Sequence, residues 1–334
     1  MNAAPSIPTL DAADCGVVVI GRNEGERLRR CLDSCAGANL RVYVDSDSTD
    51  GSRELARSKG VETVELDISH GFTAARARNA GFARLLQERP DIEFVMFVDG
   101  DCEVAADWIP AALVALRARP DVVAVCGRRR ERFPDVSIFN RLCDIEWNTP
   151  PGEAKAFGGD VVIQAAALRA AGGYRDDLIA GEEPELCVRL REAGGRILRL
   201  DRDMTWHDAA MTRFGQWWKR NVRSGHAFAE GAALHGAPPE RHFVAETRRA
   251  VFWGGVFPLA VLLAAIVQPW LLLALLVYPL QWARIGARMA RDRRPIPWMY
   301  AAFLLLGRFP EAQGVFKLWL GHLFGRRSAL IEYK

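Results

Sequence analysis

Three carboxylates, Asp99, Asp101 and Glu103, stand within five residues directly after the apolar run EFVMFV at 93–98. Only Gly100 separates Asp99 from Asp101, so at a strand end both side chains reach one small volume. Carboxylate oxygens suit hard cations such as Mg²⁺ or Mn²⁺, which take one or two protein carboxylates and complete their shell with phosphate oxygens and water. The chemistry on offer is a divalent cation holding a diphosphate, and the competing reading is a solvated acidic turn. A second acidic pair, Glu182 and Glu183, precedes Pro184, which suits the first turn of a helix; ordinary acidic bias at a helix N-terminus produces the same pattern.

The elements that must position these groups are legible from Cys15 onward. GVVVI (16–20) precedes a helical pattern over Glu24–Cys35, LRVYVD (40–45) precedes Ser52–Lys59, VETVEL (61–66) precedes Thr73–Glu88, and EFVMFVD (93–99) precedes Ala105–Ala118. This rhythm predicts an α/β domain with a mostly parallel sheet covered on both faces. Ligands on such sheets bind at the carboxyl ends of the strands. There the chain places GRNEGE (21–26), DSDSTDGS (45–52) and DGDCE (99–103). The first lacks the G-x-G-x-x-G spacing and no G-x-x-x-x-G-K-[ST] occurs, which counts against hydride transfer and P-loop chemistry.

With 334 residues, half of them apolar, the chain is long enough for one large domain and an appendage. Its formal charge of +3 is unevenly spread: residues 1–208 hold 27 Lys and Arg against 35 Asp and Glu, and residues 209–334 hold 17 against 6. In the basic part the cations flank apolar runs and seven of the ten Trp, which favours an anionic membrane surface over nucleic acid. The seven Cys (15, 31, 35, 102, 126, 143, 187) show no zinc spacing and read as reduced, buried thiols. Residues 1–16 lack a basic stretch and an apolar stretch of the signal-peptide kind, so the front half is expected in the cytoplasm.

Six segments, VVVIGRNEGERLRRCLDSC (17–35), VYVDSDSTDGS (42–52), ARARNAGF (75–82), FVDGDCEV (97–104), GGDVVIQAAALRAAGGY (158–174) and GEEPELCVRLREAGGRI (181–197), follow one another in an order and spacing that resemble the family 2 glycosyltransferases of GT-A fold. The resemblance covers roughly residues 15–225. It implies a Rossmann-like GT-A catalytic domain that binds a nucleotide-sugar donor. The nucleoside would lie on Gly21, Arg22, Asn23 and Glu24 and on the turn with Asp45 and Asp47. Where many relatives carry two adjacent Asp, this chain has DSDS, which leaves the choice between Asp45 and Asp47 open.

By the same resemblance, Arg78 and Asn79 lie near the nucleotide, and Asp99, Gly100 and Asp101 form the D-x-D signature that binds Mg²⁺ or Mn²⁺ with the diphosphate. His207 in MTWHD is the candidate for one further metal ligand. Gly158 and Gly159 would let backbone approach the donor, with Asp160 reaching a sugar hydroxyl. Glu183 takes the position of the catalytic base, with Glu182 as its substitute. A base there accepts the proton of an acceptor hydroxyl as that oxygen attacks the anomeric carbon, an inverting displacement.

The stretch 250–283 contains no charged residue, is too long for one spanning helix, and bends naturally at Gln268-Pro269. Arg248 and Arg249 before it and Arg284, Arg288, Arg291, Arg293 and Arg294 after it predict a membrane hairpin, re-entrant or spanning, with both ends cytoplasmic. The expected division is a tail (1–14), the GT-A domain (15–225), a linker or interfacial helix (226–249), the apolar hairpin (250–285) and an amphipathic interfacial region (286–334). In RFGQWWKRNVRSGHAFAEG (213–231), Trp217 or Trp218 is expected to stack on sugar or lipid and Lys219 or Arg220 to meet phosphate, with core packing as the competing account.

The reading is an inverting, metal-dependent glycosyltransferase working at the cytoplasmic face of the membrane on a lipid-linked or growing glycan acceptor, with other polysaccharide-assembly enzymes as candidate partners. Two other classes stand beside it. A sugar-nucleotide nucleotidyltransferase shares the sheet and acidic site but usually shows a Gly-rich, Lys-containing N-terminal loop, which this chain lacks. A non-catalytic nucleotide-sugar-binding membrane scaffold would not need Asp99, Asp101 and Glu183 together.

Overall fold

The computed structural model describes residues 14–69 and 71–325; most of the expected tail, and Arg326 and Arg327 of the interfacial region, lie outside them. In chain order the elements are β1 (Cys15–Gly21), α1 (Glu26–Ser34), β2 (Leu40–Asp45), α2 (Ser52–Ser58), β3 (Glu62–Glu65), α3 (Ala74–Glu88), β4 (Phe94–Asp99), β5 (Cys102–Val104), α4 (Trp108–Ala118), β6 (Val122–Glu131), α5 (Ile138–Trp147), β7 (Gly152–Ala154), β8 (Val161–Gln164), α6 (Ala165–Ala170), α7 (Glu182–Glu192), β9 (Arg196–His207), α8 (Phe214–His235) and α9 (Val244–Val251). A π-helical turn (Phe252–Val256) then leads into α10 (Phe257–Val267), and a 3₁₀ stretch (Pro269–Leu276) into α11 (Val277–Arg291), α12 (Pro297–Leu306) and α13 (Arg308–Leu323).

Two compact units result. Among the described residues the first comprises 14–135, 146–178 and 182–209; the second comprises 136–145, 179–181 and 210–325. This differs from the expected boundary at 225, because α8 is one unbroken helix from Phe214 to His235.

The first unit is built on a nine-stranded sheet of order β3-β2-β1-β4-β8-β6-β9-β5, with β7 paired to β9. Its first four strands in space are parallel, as their nearly continuous apolar sequences predict for strands buried on both faces. Val17, Val18 and Val19 of β1 and Val95, Met96 and Phe97 of β4 are fully buried. Beyond β4 the sheet is mixed: β8 runs antiparallel to β4 and β6, β9 parallel to β6, and β5 antiparallel to β9. Gly81 lets α3 lie directly on β1 and β2, since a Cβ there would collide with Val18 and Val44. One turn earlier on the same helix face stands Arg78.

The second unit is helical. Gly225 on α8 and Gly314 on α13 bring these helices into backbone contact: a Cβ on Gly225 would meet the Glu311 carbonyl, and one on Gly314 the Val222 carbonyl. Trp217 is 2% exposed and packs between Phe139, 6.4 Å away, and Phe303, 5.0 Å away. That corrects the expectation that Trp217 stacks on sugar or lipid, since its helix face is core. The continuous helix over Val244–Val267 (24 residues, with an 18-residue stretch of mean hydropathy 2.3) and the segment Pro269–Arg291 (23 residues, with such a stretch at 1.3) are each long and apolar enough to cross a membrane, and the bend falls at Gln268 as the sequence predicts. Ile266, Val267 and Leu280 are 79%, 78% and 69% exposed, so much of the apolar arms lacks protein covering among the described residues, although Gly254 packs on the Arg308 carbonyl and Gly286 on Trp298.

Candidate active site

The carboxyl ends of β1, β2 and β4 bring the first three motifs together. Asn23, in a left-handed conformation (φ 56°), ties the first loop to the second: its backbone N–H donates to Ser48 Oγ (2.9 Å) and its Oδ1 accepts from the Thr49 N–H (2.8 Å). Arg22 lies over the Phe72 ring at 4.5 Å, and Glu24 pairs with Arg27 at 2.8 Å. Gly100 allows the fourth strand's turn to pass close to the first, its N–H donating to the Ile20 carbonyl at 2.8 Å beside Gly21. Asp45 is 1% exposed and accepts from Tyr43 Oη (2.9 Å) and the Ser48 N–H (2.8 Å). Asp47, also left-handed (φ 68°), is the exposed one of the two. Of the two carboxylates that the sequence left open, Asp47 is thus the solvent-facing one and Asp45 the buried one.

At the centre lies an alternation of guanidinium and carboxylate groups. Arg78, 2% exposed, donates from Nη1 to Glu182 Oε1 (3.0 Å) and from Nη2 to Asp99 Oδ1 (2.9 Å), with Glu183 Oε1 at 3.1 Å and the Tyr174 ring at 5.4 Å. Burial works against its charge, yet Glu183 and Asp99 hold its pKa above the usual arginine value. Arg129 of β6 bridges Asp99 Oδ2 (3.1 Å) and Asp160 Oδ2 (2.8 Å). Asp160, fully buried, also accepts from Thr205 Oγ1 (2.6 Å) and, through Oδ1, from the Asp99 N–H (3.1 Å).

These contacts correct three expectations. Asp160 is enclosed by Arg129, Thr205 and the Asp99 backbone and does not reach toward a sugar. Gly159 has its missing Cβ filled by the protein's own groups, since that atom would lie 2.9 Å from both Arg78 Nη2 and Arg129 Nη2 and against Asp99. Gly158 has open space there and keeps room for a ligand. Asn79 clamps the segment after α6: its amide donates to the Tyr174 carbonyl and Asp176 Oδ1, both at 2.7 Å, and accepts from the Tyr174 N–H at 2.9 Å.

The pairing of β9 with β5 and β6 sets Cys102 and Glu131 opposite His207. His207 Nε2 lies 3.2 Å from Asp101 Oδ2, its Nδ1 is 3.9 Å from Glu131 Oε2, and the Trp147 ring stacks edge-on at 4.7 Å. Glu131 also accepts from the Ala209 N–H at 3.1 Å, fixing the chain just after the histidine. Oxygen and imidazole donors at this separation fit a divalent cation of the Mn²⁺ or Mg²⁺ kind. The thiol of Cys102 lies within 4.8 Å of both Asp101 and His207 donor atoms, and burial and the nearby Asp160 push its pKa well up. Asp99 offers a carboxylate on the other side of Cys102, already held by two arginines. Arg78 and Arg129 meet four carboxylates (Asp99, Asp160, Glu182, Glu183), and Asp101 and Glu131 flank His207, a carboxylate-rich site that suits a divalent cation.

Glu182 and Glu183 open α7, as the position of Pro184 predicts. Glu182 is almost fully enclosed, and the Glu183 side chain is 17% exposed. Burial, and then the neighbouring Glu182, push the Glu183 pKa up to about 7, with Arg78 opposing them. A carboxylate near that value is well placed to take a proton at neutral pH.

Arg129, Glu131, Thr205 and Tyr174 are part of this site and sequence reading missed them. For Arg129 a signal existed: in GRRRE (127–131) a strand's alternation turns Gly127, Arg129 and Glu131 one way and Arg128 and Arg130 the other. Arg128 accordingly pairs outward with Asp203 at 2.9 Å. Trp218, Lys219 and Arg220 belong to the second unit. There Trp218 Nε1 donates to Gln313 Oε1 at 2.8 Å and Lys219 is exposed.

A sheet of this order with an acidic turn after β4 and an acidic helix mouth at α7 defines the GT-A architecture. Among solved structures of that fold, the mannosyltransferase PcManGT from Pyrobaculum calidifontis, in complex with GDP-Man and Mn²⁺, superposes with a TM-score of 0.63 at 21% identity, covering 91% of this chain and 87% of that one. Glucosyl-3-phosphoglycerate synthase from Mycobacterium tuberculosis, in complex with Mn²⁺, UDP and glucosyl-3-phosphoglycerate, superposes with a TM-score of 0.51 at 18% identity, covering 71% and 87%. Residues 16–178, just under half of the chain, match the family model "glycosyl transferase family 2". The pre-mycofactocin glycosyltransferases of two Mycobacterium tuberculosis strains are 29% identical over 237 residues, 66% of this chain. The match spans 48% of those relatives, so the chain matches about half their length.

Proposed function

We propose that this protein is an inverting glycosyltransferase that moves a sugar from a nucleotide-diphosphate donor to a lipid-linked or growing glycan acceptor at the cytoplasmic face of the membrane. The observation that carries the catalytic reading is Glu183 at the mouth of α7, 3.1 Å from Arg78, whose other contacts are Glu182 and the D-x-D residue Asp99. One guanidinium therefore registers the base against the donor side of the cleft. Asp101 and His207 would hold a divalent cation, with Asp99 as the second D-x-D carboxylate. When bound, that cation supplies the positive charge that stabilises a departing diphosphate.

The steps belong to the chain's own residues. Gly21–Glu24 and the Asp47 turn bind the nucleoside, and Gly158 leaves backbone room for the donor. Glu183 takes the acceptor hydroxyl's proton as the oxygen attacks the anomeric carbon opposite the leaving group, which inverts that centre. Arg78 keeps Glu183 oriented and limits how far burial raises its pKa. The membrane location is supported by the two uncovered apolar segments over 244–291 and by their cationic flanks.

The test is turnover of UDP-, GDP- and dTDP-sugars by the full chain with Mn²⁺ and a membrane-lipid extract, with the product's anomeric configuration read by NMR. Retention of configuration, or no transfer with any donor, would reject the reading. A second reading takes its acceptor from the relatives' name, a pre-mycofactocin-like molecule in place of a lipid-linked glycan. Transfer to a soluble extract fraction and none to the lipid fraction would select it.

A further inference from the structure

The second unit contains a cavity of about 490 Å³ walled by Ala232 of α8, Val251 of α9, Phe252 and Val256 of the π-helical turn and Trp319 of α13. This volume is within the range of sites that seat small molecules. Two polar side chains join the wall, Thr247 and Arg248. Thr247 is 9% exposed, and its hydroxyl has no hydrogen-bond partner among the described residues. A helix-borne threonine usually returns its hydroxyl to a carbonyl one turn back, and a buried hydroxyl without an acceptor is destabilising. Arg248 is exposed and makes no ion pair among the described residues, whereas Arg249 is held by Glu246 at 2.8 Å. The cavity is continuous with the apolar helix over Val244–Val267, which the protein leaves largely uncovered.

We propose that this cavity seats one acyl chain of an anionic membrane phospholipid, with Arg248 on its phosphate and the Thr247 hydroxyl donating to the ester carbonyl that joins chain to headgroup. An acyl chain matches the apolar wall, and a phospholipid places its only strong acceptors within one short span, as Thr247 and Arg248 are placed. The unpaired cation selects a net negative headgroup. The inference rests on the reading of this unit as membrane-associated, and that reading is tested separately by resistance to carbonate extraction.

The experiment titrates the full chain in dodecyl maltoside with phosphatidylglycerol brominated on its acyl chains and follows quenching of Trp319, isolated as the difference from the Trp319→Phe protein. Saturable quenching is expected. Ala232→Phe, which fills the cavity, abolishes it, and Val256→Trp from another wall repeats the test should the first variant unfold. Arg248→Gln raises the midpoint about tenfold, and brominated phosphatidylcholine binds more weakly than phosphatidylglycerol to the unmodified protein. Quenching that never saturates, that survives both cavity-filling variants, or that is equal for the two headgroups and indifferent to Arg248→Gln overturns the proposal. So does a concentration-dependent dimer that phospholipid fails to dissociate, because a second copy would then be the occupant. A chain that resists carbonate yet shows unsaturable quenching refutes the cavity alone; one released by carbonate refutes membrane residence, and the micellar titration still decides the cavity.

Discussion

Replacing Glu183 by glutamine keeps the side chain's shape and its contact with Arg78, 3.1 Å away, but removes its capacity to take a proton. Loss of a general base typically costs about 10² to 10⁴ in rate, so transfer falls by that factor while nucleotide affinity changes little. Glu182→Gln costs much less, because its carboxylate is 3% exposed against 17% for Glu183 and does not face an acceptor. The pH profile carries the sharper test. Glu183 is raised to about 7 by burial and then by Glu182, with Arg78 opposing. Only the ionised form accepts a proton, so kcat falls on the acid side of that value, by about tenfold per pH unit.

Glu182→Gln removes a raising influence and moves this acid limb to lower pH, whereas Arg78→Met removes the opposing one and moves it higher. Stability moves with the same proton. The folded pKa lies above the unfolded carboxylate value of about 4.3, so this group's contribution to stability is fully present below about 4.3 and is lost as pH rises through about 7. Glu183→Gln abolishes that loss, and its Tm relative to the unmodified protein is higher at pH 8 than at pH 5. Sugar transfer measured from pH 5 to 9, with thermal unfolding at both ends, checks both statements. A dead Glu182→Gln beside an active Glu183→Gln, or limbs that shift in the same direction, refutes the reasoning.

Three further outcomes are expected. Asp101→Asn weakens nucleotide diphosphate binding in Mn²⁺ and leaves the metal-free affinity nearly unchanged, as measured by calorimetry; equal loss in both conditions would remove Asp101 from the metal site. Arg129→Met strands the fully buried Asp160 and costs about 3–5 kcal/mol, whereas Arg128→Met, whose partners are partly exposed, costs no more than about 1 kcal/mol; denaturant unfolding of the two variants compares them, and similar losses would dismiss the buried network. Single cysteines at Glu246 and Asp292 label from the same side of sealed membranes, since a hairpin bent at Gln268 returns the chain to its starting face, and opposite-side labelling rules the hairpin out.

The front of the fold was legible because parallel strands buried on both faces are written as nearly unbroken apolar runs, each followed by a loop and a helix of its own period. The two apolar segments were legible too, their break at Gln268-Pro269 following from the proline and their length from the absence of charge. The half of the sheet beyond β4 was not legible. β8 runs against both of its neighbours while β9 lies parallel to β6, and the ten-residue strand β6 ends in a cationic run that reads as solvated surface.

The chemistry of the site divides along the same line. The sequence by itself determined that Asp99, Asp101, Glu182 and Glu183 sit at the mouths of a strand and a helix, because local periodicity and proline placement are short-range properties. Their contact partners came only with the folded chain. Arg78 meets Asp99 from 21 positions away and Glu182 from 104, while its chain neighbour Asn79 turns to the Tyr174–Asp176 segment. Asp160 resembles a sugar ligand in sequence yet is closed over by Arg129 and Thr205, 31 and 45 positions distant. Charge pairing and burial depend on which strands become neighbours, and that order is set by packing of the whole sheet, not by any stretch of residues read alone.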